Sequence, residues 1–427
     1  MVTVERWTGA ETKALRQAMR LSIRAFAAHL GVDARTVNKW EARGATITLL
    51  PDTQALMDTA LSRAPDDVKT RFTQTLNSSG QQQPTNPTER EVNEALSRSG
   101  AVPTDPQDRE RVALATRHPR RVDAATVSAL AVVLAATRRL EDQLGSAAVL
   151  PGIRDIRALV HSLLADARSP IRDRVGALAG ELHQYLGWLL AETGHTDQAR
   201  AELDAALALG VEIDDPDLTS LALSFKGHLA WMLDDSQEVI ALSRAARHDG
   251  RVFVAQHAYN AYQEARGWAM AGEPAEVDRI LGHADKLAER AVARQADTPP
   301  NLYWYGPAFF TLQRGLTWHT LGDARFAERA VAELTKGLHE LPDTERDSEW
   351  AAIFTVAAAE ALTTAGDAER AIEQARHALT VCCATRSTRL AHVLRRAHTQ
   401  MRDTWPTHAA VRDLGDEMRS LSDAHHT

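Results

Sequence analysis

The polar side chains best suited to recognise another molecule follow Asp33 in the chain. In a helix that begins after this N-cap, Val37 and Trp40 point to one side and are predicted to be buried. The opposite side carries hydrogen-bond donors that point outward, namely Arg35, Thr36, Asn38 and Lys39. Because an exposed helix of this kind can enter the major groove of DNA, the stretch predicts a base-reading helix. An ordinary solvated helix face is the alternative interpretation.

The segment before this helix has the features of a shorter helix that ends in a tight turn. Ser22 is a predicted N-cap, and Gly31 is expected to end the helix. Phe26 and Leu30 lie four residues apart and form its apolar face. Two short helices around a glycine turn have the spacing of a helix-turn-helix.

Residues 9 to 61 resemble the Cro/CI, or xenobiotic-response, type of helix-turn-helix found in phage repressors and many bacterial regulators. The resemblance implies base-reading positions at Ala34, Arg35 and Lys39, and a buried ion pair between Arg16 and Glu41. Where the family often has a glutamine this chain has Ile23, so the phosphate contact is expected from Arg24 instead. The complete predicted DNA-binding set is Arg24, Ala34, Arg35, Thr36, Asn38, Lys39 and Arg43.

The charge is distributed unevenly over the 427 residues, which are enough for two or three domains. The chain carries a formal net charge of -8, but residues 1–76 hold 11 basic and 8 acidic residues, a net of +3. The remaining 38 basic and 49 acidic residues give the rest a net of -11. We therefore expect nucleic-acid contact at one end only. The predicted domains are a five-helix DNA-binding domain over 1–76, a flexible linker over 77–90 and a helical repeat domain over 91–427.

Composition also suggests where the protein acts. The two cysteines, Cys382 and Cys383, are adjacent in a predicted helix, where they cannot easily form a disulfide with each other. The sequence has no apolar run of about 20 residues, and no apolar run follows the first basic residues. These features predict a cytoplasmic protein without membrane contact, and the preference for Arg over Lys, with six Lys among 49 basic residues, suggests a bacterium.

From residue 91 onward, apolar residues recur at intervals of three and four, which predicts helices only, and the predicted fold class is all-α. Helix breaks are expected at Gly145 and at residues 150–152, Leu-Pro-Gly. Five predicted turn positions then recur at intervals of 38 to 50 residues: Gly194, Asp234, Gly272, Gly322 and Gly366. A small residue stands seven positions before each of them: Gly187, Gly227, Ala265, Gly315 and Ala359. The pattern resembles tetratricopeptide repeats, although the unit is longer than the usual length of about 34 residues. Clear repeats are expected over about 180–386, with capping helices to 421.

In such repeats the first helix of each hairpin lines the concave face of the array. The offset from each turn selects aromatic and polar residues for this face, and the insertion at 299–305 adds further aromatic residues. The predicted ligand-binding set is Gln184, Trp188, His228, Trp231, Tyr259, Tyr262, Arg266, Tyr303, Trp304, Phe309 and His319. A peptide or a small organic molecule fits this mixture of side chains. Packing between repeats is the alternative role.

Motifs for catalysis are absent from the sequence. It has no phosphate-binding glycine loop, no nucleophile elbow, no Cys pair at zinc spacing and no His-Glu-x-x-His helix. Pairs of acidic residues such as Glu360 and Glu369 are expected to be solvated. We therefore predict neither an enzyme nor a cofactor or metal site.

A Cro/CI-like head on tetratricopeptide-like repeats resembles the bacterial peptide-sensing regulators grouped as RRNPP and a class of actinobacterial regulators. This resemblance implies a transcription regulator that binds a double-stranded operator as a homodimer. It also implies a peptide or small-molecule effector that shifts the relative placement of the two heads of the dimer. Two other functions stay open: a scaffold whose groove binds another polypeptide, and an enzyme or antitoxin-like effector with a regulatory head.

Overall fold

The computed structural model describes residues 7–44, 47, 49–65, 68–72 and 105–424. The chain divides into two compact units, residues 1–85 and 86–427. Every regular element in the described ranges is a helix, in agreement with the predicted all-α class. The dividing point falls inside the predicted linker, whose residues lie outside the described part of the chain. None of the helices in the described ranges is both long enough and apolar enough to cross a membrane.

The first unit is built from short helices around one apolar core. They are α1 (Gly9–Ala18), α2 (Ile23–Leu30), α3 (Ala34–Arg43) and α4 (Pro51–Arg63), followed by helical residues 68–72. Thr8 begins α1 with a capping box, in which its hydroxyl accepts from the Ala10 amide and its own amide donates to Glu11. Phe26 and Val37 are fully buried in the core, so α2 and α3 are fixed by their apolar faces.

The local predictions for the first unit agree closely with its backbone. Ser22 caps α2, and Gly31 ends it in the left-handed conformation with φ +71°. Asp33 caps α3 by accepting from the Arg35 amide at 2.7 Å. The predicted helix over 52–61 extends from Pro51 to Arg63, because proline is well suited to the first position of a helix.

The second unit contains sixteen α-helices in its described residues. They are α5 (Pro106–Arg117), α6 (Ala124–Leu144), α7 (Ser146–Asp166), α8 (Ile171–Glu192), α9 (Thr196–Glu212), α10 (Pro216–Met232), α11 (Ser236–Ala245), α12 (Val254–Met270), α13 (Pro274–Val292), α14 (Pro307–Thr320), α15 (Ala324–Glu340), α16 (Asp343–Arg346), α17 (Glu349–Ala365), α18 (Ala368–Thr385), α19 (Thr388–Thr404) and α20 (Ala409–Ala424). From α8 onward, consecutive helices pack as hairpins, and the first helix of each hairpin contacts the first helix of the next.

The turns inside the hairpins show why small or flexible residues occur at the repeating positions. All five predicted turn residues have positive φ, from 61° at Asp234 to 85° at Gly366. The small residues seven positions earlier lie where helices approach closely. A side chain at Gly187 or Gly315 would collide with a leucine of the following helix.

Two predictions about the second unit need correction. The helix break at residues 150–152 does not exist, because α7 continues through Pro151. Pro151 costs one backbone hydrogen bond near the start of α7, and burial of neighbours such as Leu150 and Ile153 offsets that cost. The first hairpin also begins earlier than about 180, at Ile171.

The two ends of the helical array in the second unit contact each other. Helix α6 touches α17 and α18, and the Ser146 amide donates to the Glu349 carboxylate at 3.0 Å. At Gly145, with φ +85°, a side chain would overlap the Thr385 carbonyl oxygen. Glu192 of α8 pairs with Arg389 of α19. The first helices of the hairpins therefore surround an interior space.

Candidate functional site

The outer face of α3 carries polar side chains, and its inner face packs against the core of the first unit. Val37 is completely buried, and Trp40 is half-buried against the same core. Arg35, Asn38 and Lys39 are exposed, so their donors are available to a partner. Ala34 and Thr36 are half-buried, and Ala34 packs on the core, which reduces the surface that it offers.

Two tight contacts fix the position of α3. The Arg16 guanidinium donates to both Glu41 carboxylate oxygens, at 2.6 and 2.7 Å, and also to the Leu21 carbonyl at 3.0 Å. A bidentate pair of this kind sets orientation as well as distance. At Gly9, a side chain would overlap the Trp40 carbonyl oxygen, so the start of α1 lies directly against the backbone of α3.

The predicted phosphate-contacting residue also lies on the surface. Arg24 is exposed in the first turn of α2. Within the described residues, no carboxylate forms an ion pair with Arg24, Arg35 or Lys39. Arg43 is the last residue of α3, and its side chain lies outside the described residues. The described part of the predicted DNA-binding set therefore presents two free guanidinium groups and one free ammonium group.

In the second unit, most of the predicted ligand-binding residues surround one cavity of about 120 Å³. Eight of the eleven line it: Trp188, His228, Trp231, Tyr259, Arg266, Tyr303, Trp304 and Phe309. They come from α8, α10, α12, the connection before α14, and α14 itself. The fold thus brings together predicted residues that are up to 121 positions apart in the sequence.

The other three predicted residues do not line the cavity and are bonded elsewhere. Gln184 accepts from Arg138 at 3.1 Å. The Tyr262 hydroxyl donates to Asp285 at 2.8 Å, and His319 contacts Glu360 at 2.9 Å. Each of the three side chains is bonded to a residue of a neighbouring helix.

Glu360 itself differs from the prediction of a solvated carboxylate. It is only 4% exposed and accepts from Arg396 at 2.9 Å as well as contacting His319. Burial raises the pKa of Glu360, but the hydrogen bonds and charges of His319 and Arg396 outweigh burial and lower it below the usual value. The contact between α14, α17 and α19 removes this carboxylate from solvent.

Three arginines stand over aromatic rings of the cavity. Arg138 lies 4.3 Å from the Tyr185 ring centroid, Arg266 lies 4.5 Å from that of Trp231, and Arg389 lies 5.5 Å from the same Trp231 ring. A guanidinium over an aromatic face is favourable, and more so where water is excluded. The cavity therefore combines apolar walls with buried positive charge.

Burial raises the pKa of the two carboxyl groups that line the same cavity. Burial, reinforced by the nearby Asp142, raises the pKa of Glu141 well above its usual value. Burial likewise raises the pKa of Asp142 to about 7, although the Tyr303 hydroxyl donates to it and opposes this shift. These two groups therefore contribute less negative charge near neutral pH than their number suggests.

His228 lies among the cavity tryptophans as a neutral ring. Its centroid is 5.0 Å from that of Trp231 and 5.3 Å from that of Trp188. Burial, followed by the positive charges of Arg389 and Arg266, lowers the pKa of His228 well below its usual value. The imidazole is thus uncharged near neutral pH and can both donate and accept a hydrogen bond.

Sequence reasoning missed part of the cavity wall. The residues not foreseen are Arg138, Glu141, Asp142, Tyr185, Phe225, Gln313, Trp350, Ile353, Phe354 and Arg389. Ile353 lies 13 positions before the turn residue Gly366, so the offset used for the other repeats would have found it. Arg138 and Arg389 lie outside the predicted run of clear repeats, and no offset pointed to them.

Comparison with known proteins adds no family: neither a scan against protein-family models nor a search of curated proteins returns a match. In the described part of the chain, no three His, Cys, Asp or Glu side chains come together in a way that could hold a metal ion. The candidate sites are therefore defined by their geometry alone.

Proposed function

We propose that this protein is a sequence-specific DNA-binding transcriptional regulator that acts as a dimer and senses an effector through its second unit. In this proposal, α2, the Gly31 turn and α3 form a Cro/CI-like helix-turn-helix. The hairpins from α8 onward form a tetratricopeptide-like array. The observation that carries the proposal is the row of exposed donors on α3, above a face that Val37 and Trp40 fix to the core.

The chemistry of that row suits base recognition. Arg35 and Lys39 lie one helical turn apart, so both can face one groove. Arginine can donate two parallel hydrogen bonds to guanine, and asparagine can do the same with adenine. Arg24 on α2 supplies a positive charge for a backbone phosphate, which positions a protein without reading the sequence.

A single helix of this kind does not discriminate well enough for regulation. Each good base contact contributes roughly 1–3 kcal/mol, and only two or three such contacts are available here. A genome offers about 10⁶ to 10⁹ competing sites, so a regulator needs more readout than one head provides. A dimer doubles the readout and predicts half-sites about 34 Å apart, or a multiple of that distance.

The cavity of the second unit supports the sensing part of the proposal. It is lined by aromatic and charged residues that the helices bring together from across the array. Enclosed pockets with apolar walls and a few polar groups are the usual form of small-ligand sites. A peptide or a small molecule bound there would act by changing the affinity of the dimer for its operator.

The test begins with selection of a preferred duplex from a random pool, followed by measurement of the specificity ratio over a range of salt concentrations. Arg35→Ala should lose about 1–3 kcal/mol of discrimination at one base pair. Arg24→Ala should weaken binding to every sequence and flatten the salt slope by about one unit. Arg63→Ala, which removes an exposed arginine of α4, is the control and should change neither quantity. An unchanged specificity ratio in Arg35→Ala would contradict the groove assignment.

The second candidate is a scaffold that binds another polypeptide in the second unit, with DNA contact secondary. The repeated hairpin packing favours it, because stacked helical hairpins commonly present extended binding surfaces. Genome-wide footprinting with and without culture extract separates the two functions. A regulator gives reproducible sites whose occupancy responds to the extract, whereas a scaffold gives stable protein partners and no reproducible operator.

A further inference from the structure

We propose that the cavity of the second unit binds a small aromatic carboxylate, with Arg266 as the residue that holds the carboxylate group. The ligand would be a molecule of about one aromatic ring with a short acidic side chain. Its role as an effector rests on the proposed regulatory function, whereas its binding does not. The argument comes from the arginines of the cavity and from the shape and composition of its walls.

The three arginines differ in what balances their charge. Arg138 lies 3.5 Å from the Glu181 carboxylate, and Arg389 pairs with Glu192. Arg266 is 1% exposed, and its Nη1 donates to the neutral Gln313 amide at 2.9 Å. Among the described residues, no carboxylate pairs with Arg266. The Tyr259 hydroxyl lies close enough to stabilise the charge of Arg266, but Nε and Nη2 form no hydrogen bond of good geometry.

A buried guanidinium without a counter-charge is costly for a folded protein. Buried charges are normally paired, and buried N–H groups are normally hydrogen-bonded, because each loses its contact with water. Stacking of Arg266 on Trp231 compensates part of this cost but provides no acceptor for the N–H groups of Nε and Nη2. A carboxylate in the cavity would supply both the negative charge and the acceptor oxygens.

The remaining polar groups in the cavity are compatible with an anion. Burial raises the pKa of Glu141 and of Asp142, so these two carboxyl groups carry less negative charge near neutral pH than exposed carboxylates would. His228 is a neutral ring, and Tyr259 keeps its hydroxyl proton because burial raises the pKa of that phenol. Nε2 of His228 faces the Arg389 guanidinium, which can only donate, and Nδ1 of His228 faces the Tyr259 hydroxyl. Of the two residues, Tyr259 is therefore the one whose hydroxyl can donate a hydrogen bond to a ligand oxygen.

The walls and the volume of the cavity indicate which group the ligand carries besides its carboxylate. The rings of Trp188, Trp231, Trp304, Trp350 and Phe309 line the space, so a planar apolar group finds aromatic faces on several sides. The cavity of about 120 Å³ is close to the engineered cavity of roughly 150 Å³ that accommodates benzene in another protein. Contacts between the two ends of the array restrict this space, and its small volume favours a compact ligand over an extended peptide.

The experiment titrates the full-length protein with phenylacetate, phenylacetamide and phenethylamine, without DNA. Binding is measured by calorimetry and by the fluorescence of the cavity tryptophans. We expect phenylacetate to bind and the neutral amide to bind about 10- to 100-fold more weakly, since the amide lacks the charge-assisted hydrogen bonds. The cationic amine should not bind. A random decapeptide pool serves as the fourth probe and should give no saturable signal.

Two variants test whether Arg266 causes the preference for phenylacetate over phenylacetamide. Arg266→Gln should lower phenylacetate affinity by about 10- to 100-fold and leave the weak binding of phenylacetamide within about threefold. Gln313→Glu should abolish phenylacetate binding as well, because it places an internal carboxylate beside Nη1 of Arg266. The matched control is Arg329→Gln, which removes an exposed arginine stacked on Trp318 outside the cavity and should bind phenylacetate like the wild type.

The possible results separate this inference from the proposed function. Equal binding of acid and amide, preference for the amine or peptides, or no binding by any probe would overturn the assignment to a small aromatic carboxylate. Loss of binding in Arg329→Gln equal to that in Arg266→Gln would overturn the role of Arg266. Selection of a specific operator despite such results would leave the regulatory function intact. If the protein binds phenylacetate but no DNA duplex, the assignment of the cavity stands and the proposed regulatory function is wrong.

Discussion

The α3 face and the cavity of the second unit use charged residues in opposite ways. On α3, Arg35 and Lys39 are exposed, and only the apolar face beneath them is fixed. In the cavity the charged groups are buried, and two of the three arginines are paired with carboxylates of other helices, as Arg389 is with Glu192. A site for a large polyanion needs no desolvation before the partner arrives. A site for a small molecule must exclude water before the ligand binds, so burial of its charged groups lowers the stability of the folded protein.

The difference predicts where mutations will affect stability and where they will affect only binding. Substitution of an exposed donor on α3 should change recognition at almost no cost to folding. Substitution of a buried charge in the second unit should change folding first. Four changes test this contrast, beginning with the one expected to have the largest effect.

The largest effect is expected from Arg389→Leu. The variant leaves the Glu192 carboxylate buried, at 2% exposure, without its partner. Removal of one member of a buried pair typically costs about 3–5 kcal/mol, and we expect that loss in the unfolding free energy of the second unit at pH 8. Urea unfolding measures it. The control Arg325→Leu removes an arginine 75% exposed and paired with Asp323, and it should cost less than about 1 kcal/mol. Equal losses would contradict the contrast.

A comparable loss in the first unit should come from a steric change. In Gly9→Ala the added methyl group overlaps the Trp40 carbonyl oxygen, which belongs to the backbone and cannot move aside alone. We expect about 3 kcal/mol of destabilisation and weaker binding to all duplexes, since α1 and α3 must separate. Thermal unfolding combined with a duplex titration measures both. Gly282→Ala, where the same methyl group meets open space, should be neutral or stabilising.

A smaller effect, of opposite sign, is expected from Asp142→Asn. Burial raises the pKa of Asp142 from 3.8 to about 7, so between these values the folded protein holds a proton that the unfolded chain has lost. The free energy of unfolding therefore falls as pH rises through this range. The amide of the variant cannot ionise. We therefore expect the free energy of unfolding of the variant to exceed that of the wild type by about 2 kcal/mol at pH 8, which is half the upper limit that the shift implies.

The measurement is a series of urea unfolding curves from pH 4 to pH 8 for the wild type and for Asp142→Asn. The gain should be largest at pH 8 and vanish near pH 4, where both side chains are neutral. Asp214→Asn, at an exposed carboxylate paired with Arg251, serves as the control and should give no gain at high pH. A gain that is independent of pH would show that the carboxyl group of Asp142 is not the cause.

The smallest effect concerns the repeating turns. Asp234 is the only one of the five turn residues that is not glycine, and its φ of 61° is unfavourable for a residue with a side chain. Asp234→Gly should therefore stabilise the second unit by about 1 kcal/mol. The reverse change, Gly272→Asp at φ 74°, should destabilise it by a similar amount. Thermal unfolding resolves both, and a loss of stability in Asp234→Gly would show that its side chain contributes more than its backbone costs.

Much of the local structure could be predicted from the sequence because it depends on neighbours in the chain. Ser22, Gly31 and Asp33 mark the ends of α2 and α3 through hydrogen bonds that span a few residues. Pro151 misled the prediction for the opposite reason. A proline near the start of a helix is tolerated when the surrounding apolar residues are buried, and burial depends on helices far away in sequence.

By itself, the sequence determined the all-helical class of the described residues, most of the helix ends, and eight of the residues that line the cavity. These features follow from the period of the helix and from the conformations that glycine, proline and capping side chains allow. Only the tertiary structure decided that the two ends of the array meet. Their contact brings Arg138 and Arg389 to the same cavity, pairs both with carboxylates, and leaves Arg266 without one. Such pairing depends on three-dimensional distances between residues up to 251 positions apart, and no periodicity in the chain encodes them.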